Sequence, residues 1–215
     1  MHSYSIDSDI RRKLTAYITI LSVVIMLIIG MIFDSFDKTL IPLEINTKTL
    51  GILVLKMFTL SITIFGGFYF LFSRYLWKIK IIEKLHRIPN LNGTWTGSFE
   101  SSKTDENGKN YTGTSKIVIE QTWTKIKVTS YFNLSTSDSH SATLKINGND
   151  GIELSFKYSN KAERSVHPTM MKHEGFNTLR FIESEDKLVG DYFTDKNRHT
   201  YGTIMVTKIA SGNVI

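Results

Sequence analysis

The residues best suited to chemistry in this 215-residue chain are cations and phenols of its C-terminal half. Arg164, His167, Lys172, His173, Lys196, Arg198 and His199 fall in polar connections, and Tyr111, Tyr158 and Tyr192 fall at the ends of alternating runs. A guanidinium is a planar fork of donors that matches phosphate, and each base stacked on an aromatic ring contributes roughly 1 to 3 kcal/mol. Together these types suit a small, anionic, base-bearing ligand. Taken singly, each cation also reads as an ordinary loop charge, and inward tyrosines also finish cores.

Other chemistries find less support. The chain has no cysteine, which excludes disulfides, thiolate metal sites and Cys nucleophiles. His140, His167, His173 and His199 match no compact metal-ligand spacing, so no metal site is expected. There is no Gly-x-Ser-x-Gly, paired-carboxylate signature or P-loop, so the chain does not read as an enzyme. Trp95 and Trp123 read as packing aromatics rather than ligand contacts.

The elements that must position these residues are strands. From Asn90 onward the apolar period is two, and eight strands are predicted near 94–101, 111–121, 125–134, 139–146, 152–158, 176–183, 187–194 and 200–209. Short connections without a long crossover predict a minimal eight-stranded up-and-down antiparallel β-barrel, lipocalin-like in class. Alternation turns Trp95, Phe99, Ser101, Ile117, Val128, Leu154, Phe156, Tyr158, Leu188, Tyr192 and Ile204 inward, with Thr, Lys and Glu outward. That polarity is the reverse of an outer-membrane barrel. The longer connections, including the 17 residues Ser159 to Gly175, share one rim, and inward residues grade towards it from apolar to hydroxylated. An apolar plug below a polar, aromatic mouth has the layout of a small-molecule pocket.

The rest of the chain reads as a membrane anchor over residues 1–77. Leu14 to Phe33 is an uncharged run long enough to cross roughly 30 Å of hydrocarbon, and too long for a signal-peptide core. A second span, about 50–72, is interrupted by Lys56, which can snorkel to the interface. Residues 1–89 carry 11 Lys/Arg against 6 Asp/Glu, and residues 90–215 carry 15 against 14, so the basic excess belongs to the anchor. That pattern points to anionic lipid rather than a DNA or RNA polymer. Arg11, Arg12 and Lys13 before the first span, and Arg74, Lys78, Lys80, Lys84 and Arg87 after the second, predict both termini in the cytoplasm. Residues 78–89 form a basic linker closed by Pro89, and 90–215 the cytoplasmic ligand-binding barrel.

Two spans, a basic linker, then "NLNGTWTGSFESS", "MMKHEG" and "VGDYFTDKNRHTYG" resemble the two-transmembrane β-barrel effectors of bacterial CBASS anti-phage signalling, also described as SMODS-associating, β-strand-rich effectors. The resemblance covers essentially the whole chain. It implies a multi-pass protein of the bacterial inner membrane whose barrel binds a cyclic dinucleotide made by a partner CD-NTase after infection. The ligand is an activator, not a cofactor. Binding would drive homo-oligomerisation, disruption of the bilayer and growth arrest. On that reading Arg164 and Arg198 meet phosphates, Tyr111, Tyr158 and Tyr192 stack on or hydrogen-bond the bases, and Ser101, Thr194 and Thr200 supply neutral hydrogen bonds, with His173 beside them. The rival readings are a membrane-tethered lipocalin-like module for a lipid or small apolar metabolite, and an interaction protein using the outer barrel face. A lipid binder needs an open apolar interior.

Overall fold

The computed structural model describes residues 1–36, 47–104, 107–132, 135–148, 151–162, 173–196 and 198–209. The chain divides into two compact units, Asp9–Ile82 and Met1–Ser8 together with Glu83–Ile215.

The first unit holds helices α1 (Ile10–Phe36) and α2 (Thr47–Arg74), which contact each other. Their surfaces are apolar: Tyr17, Met31, Phe58 and Phe70 are each 63% to 69% exposed. Such a surface is unfavourable in water and suits hydrocarbon, and both helices are long and apolar enough to cross a membrane. Several hydroxyls within them bond the preceding turn, among them Thr15 to the Arg11 carbonyl at 2.9 Å and Ser22 to that of Ile18 at 2.7 Å. No polar hydrogen of these groups then needs water, which is the condition for placing them in lipid.

The second unit is a sheet of nine strands rather than the expected eight: β1 (His2–Ile6), β2 (Gly93–Thr104), β3 (Asn110–Gln121), β4 (Lys125–Phe132), β5 (Ser135–Gly148), β6 (Gly151–Ala162), β7 (Glu174–Ile182), β8 (Lys187–Thr194) and β9 (Tyr201–Lys208). From β2 to β9 each strand pairs with its successor, and β9 returns to β2. Direct pairing of β4 with β5 spans only Thr129 to Phe132 and Ser135 to Asp138. Beyond it the two strands diverge, and β1 enters the gap, antiparallel to β4 through His2 and Ser3 and parallel to β5 through Tyr4, Ser5 and Ile6. His2–Ile6, which the sequence reading places in the anchor, therefore belong to the sheet. Diverging edges leave backbone donors and acceptors that require partners, and β1 supplies them. Side chains fasten the insertion: His2 Nε2 lies 2.8 Å from Ser139 Oγ, and the Asp7 carboxylate accepts from the Ile146 and Asn147 amides at 2.8 and 3.2 Å.

The inner face follows the period-two pattern. Trp95, Ile117, Val128, Leu144, Leu154, Phe156, Leu179, Leu188, Ile204 and Val206 are all buried. At the end where the chain enters β2, a short helix α3 (Lys80–His86) stops with Arg87 in the left-handed region at φ 59°. The helix thus ends ahead of Pro89 rather than at it. A buried polar network then anchors the entering segment. Gln121 accepts from the Leu91 amide at 2.9 Å and donates to the Tyr4 hydroxyl at 3.2 Å, and Trp95 Nε1 donates to the Leu91 carbonyl at 3.1 Å. Trp123, also buried, meets the edge of His86 at 5.0 Å. The two tryptophans close this end, as their sequence positions suggest.

Candidate functional site

Strand register assembles the opposite end. Successive cross-strand partners form one row, Tyr111, Ser101, Gly202, Tyr192, Asn177 and Phe156, running over β3, β2, β9, β8, β7 and β6. A neighbouring row joins Thr194, Gly175 and Tyr158. Directly opposed side chains on one face have Cβ atoms about 4.5–5.5 Å apart, so these rows are continuous contact surfaces. On the other side lies an apolar row of Phe99, Ile204, Gly190, Leu179, Leu154 and Leu144. The inner face thus changes from apolar to polar within one row.

A glycine faces each of the two phenols. A Cβ on Gly175 would fall on the ring end of Tyr158, and one on Gly202 would come 2.9 Å from Tyr192 Cε1. Tyr158 is 5% exposed, and burial pushes its phenol well above the ordinary 10.0, with Tyr192 adding to the rise, Arg198 opposing it and Asp195 adding again. Burial also raises Tyr192, opposed by its hydrogen bond with Ser101 and by Arg198. Both phenols stay neutral at physiological pH, and the upward shifts keep them so further into the alkaline range. Arg198 acts on both through its charge, which puts the guanidinium in the same electrostatic neighbourhood as the two hydroxyls.

The β8–β9 connection holds Arg198 through its backbone. The Arg198 and His199 amides donate to the Asp195 carbonyl at 3.1 and 3.0 Å, and His199 adopts the left-handed region at φ 50°. Asp195 Oδ2 accepts from the Glu174 amide at 3.0 Å, tying the turn to β7. Thr194 and Thr200 close the hairpin on each other: the Thr194 amide donates to the Thr200 carbonyl at 2.8 Å, and the Thr200 amide to Thr194 Oγ1 at 2.9 Å. Their hydroxyls are thus engaged in the turn itself.

Of the residues proposed from sequence, Ser101, Tyr158, Tyr192 and Arg198 come together. Tyr111 stands beside Ser101, 43% exposed, with its ring centroid 6.0 Å from that of Phe99. His173 is buried, 5% exposed, and its ring accepts from the Asn160 amide at 3.2 Å, so it is a wall group rather than a rim group. Arg164, with His167 and Lys172, lies outside the described residues. Among the described residues no group of three or more His, Asp or Glu side chains is arranged to hold a metal ion.

Sequence reasoning missed the buried amides. Asn160 and Asn177 are 2% and 1% exposed, and the two amide atoms of Asn177, with Ser115 Oγ and Ser130 Oγ, have no hydrogen-bond partner. Strand parity was the available signal: Asn160 continues the series Leu154, Phe156, Tyr158, and Asn177 sits two residues before Leu179.

Residues 86–208 match the family described as "Cap15, cyclic dinucleotide receptor domain", and residues 12–78 match "Cap15, TM helices". A curated relative, "CD-NTase-associated protein 15" of Yersinia aleksiciae, is 32% identical over 146 residues, which cover 68% of this chain and 68% of the relative.

Proposed function

Because the chain belongs to the Cap15 family, with the receptor domain matched over residues 86–208 and the membrane helices over 12–78, we propose that it is a membrane-bound CBASS effector gated by a cyclic dinucleotide at the polar end of its barrel. The observation that carries the site is the convergence of Ser101, Tyr158, Tyr192 and Arg198, two neutral phenols beside one guanidinium, above an apolar plug. A cyclic dinucleotide presents two phosphates and two bases. Arg198 would meet a phosphate, the phenols would stack on or hydrogen-bond the bases, and Arg164 would add a second cation from the β6–β7 connection. Trp95, Leu154, Leu179 and Ile204, each 0% exposed, fill the apolar rows, which speaks against a lipid-sized cavity.

The role is that of a receptor and not of an enzyme: ligand binding transmits a state rather than breaking a bond. Two spans would return the chain to the side it started from, and the flanking basic residues favour the cytoplasmic side of a bacterial inner membrane. For the ligand to activate, it must favour an assembled state over the resting one. Oligomerisation of the barrels would gather the hairpins, and gathered hairpins would breach the bilayer.

The test is direct binding of cyclic di-AMP, cyclic di-GMP and cyclic UMP–AMP to the full-length chain in detergent micelles. At least one probe binds the wild type, and Arg198→Ala and Tyr192→Ala each weaken it about tenfold or more. Wild-type affinity in both variants removes this site from consideration.

A further inference from the structure

Asn177 is the one side chain of the Tyr111–Ser101–Gly202–Tyr192–Asn177–Phe156 row whose polar atoms the fold leaves empty-handed. It is 1% exposed, lies between Tyr192 and Phe156 in register, and makes no hydrogen bond from either its Nδ2 or its Oδ1. An unpaired buried amide costs free energy, and an apolar side chain of the same shape would avoid that cost. Strand position alone asks for no polar group here, because Leu179 and Leu154 serve the adjacent row without one. The donor and acceptor can thus both pair with a polar group that enters the row.

We propose that Asn177 reads a base of the bound ligand, through an edge that offers a donor beside an acceptor. Granted the cyclic dinucleotide at this mouth, a base stacked on Tyr192 would carry its hydrogen-bonding edge one strand over, onto the Asn177 amide. The amide's chemistry selects a base and not a phosphate: phosphate oxygens only accept, so Oδ1 would remain unpaired, whereas a base edge with adjacent donor and acceptor satisfies both atoms at once. Arg198 then provides affinity that is blind to sequence, and Asn177 discriminates among cyclic dinucleotides that share one phosphate frame.

The experiment compares full-length wild type, Asn177→Leu and Arg198→Ala in detergent, each titrated with cyclic di-AMP, cyclic di-GMP and cyclic UMP–AMP, and each melted without ligand. Leucine keeps the volume and removes the orphaned amide. Asn177→Leu is expected to melt about 2 °C or more above wild type without ligand. It is also expected to bind the preferred probe about ten- to a hundredfold more weakly, and to lose the ranking among the three probes. Arg198→Ala lowers all three affinities alike and keeps their ranking. Wild-type affinity and ranking in Asn177→Leu overturn the proposal. So does a lowered melting temperature without ligand, which marks an amide that internal water or neighbours already satisfy. A wild type that binds none of the probes defeats the receptor reading itself, and the base-reading role falls with it.

Discussion

Substituting Gly175 by alanine tests whether the seat of Tyr158 is set by the absence of a side chain across from it. The new Cβ would land on the end of the Tyr158 ring and 2.8 Å from the Phe193 carbonyl oxygen. The carbonyl belongs to the β7–β8 ladder and cannot yield, so the phenol must move. Tyr158 is 5% exposed, with its ring centroid 6.4 Å from that of Phe156, so displacing the ring disturbs that packing. Overpacking of this kind costs about 1–3 kcal/mol. Against it, replacing glycine restricts the unfolded chain by about 0.4–1 kcal/mol in favour of folding. The net loss is up to about 2.6 kcal/mol, or up to about 10 °C in melting temperature for a chain of this length.

The assay is thermal melting of the full-length protein in detergent at one scan rate, followed by aromatic circular dichroism. Gly175→Ala is made in the wild type and in a Tyr158→Ala background, where the ring clash is gone and only the 2.8 Å approach to the Phe193 carbonyl oxygen remains. The cost should be smaller in the second background by the part due to the ring. A melting temperature at or above wild type for the single variant, or an equal loss in both backgrounds, refutes the reasoning.

Two further outcomes follow from the same geometry. Gln121→Leu removes the acceptor of the buried Leu91 amide and the donor to Tyr4, leaving an orphaned N–H at about 1–3 kcal/mol. Tryptophan fluorescence should report a melt lowered by about 2 to 12 °C, and an unchanged transition would show that the network does not anchor the entering segment. The Tyr158 phenol is raised in the folded protein, chiefly by burial, so above pH 10.0 the unfolded chain gives up its proton first. Stability contributed by Tyr158 is thus complete below that pH and lost as pH rises beyond it. Tyr158→Phe should narrow the difference in stability between about pH 9 and about pH 11, and an equal alkaline loss in both proteins would contradict the buried neutral phenol.

The strand positions of the domain were legible because period two is a local property. Each of Trp95, Ile117, Leu154, Leu188 and Ile204 declares its face by its immediate neighbours, and all five are buried as alternation requires. The spans were legible for a similar reason, since a long uncharged run is visible without knowing its partners. β1 was not. Its five residues are too few for a period, and its pairing with β5 reaches from Tyr4 to Ala142. Nor were the buried amides: Asn177 has the parity of an inward residue, but a polar residue at an inward parity is ambiguous until a ring of strands encloses it.

The sequence by itself determined the two apolar helices, the alternating strands and the chemical types available at their ends, because helix and strand periods and residue chemistry are carried within short segments. Only the tertiary structure decided that Tyr158, Tyr192, Ser101 and Arg198 share one environment, that His173 is walled in beside Asn160, and that the first strand seals the gap between β4 and β5. Register and the return of β9 to β2 produce those facts. They depend on hydrogen-bond ladders between segments far apart in the chain, and no local pattern encodes which residue will stand opposite which.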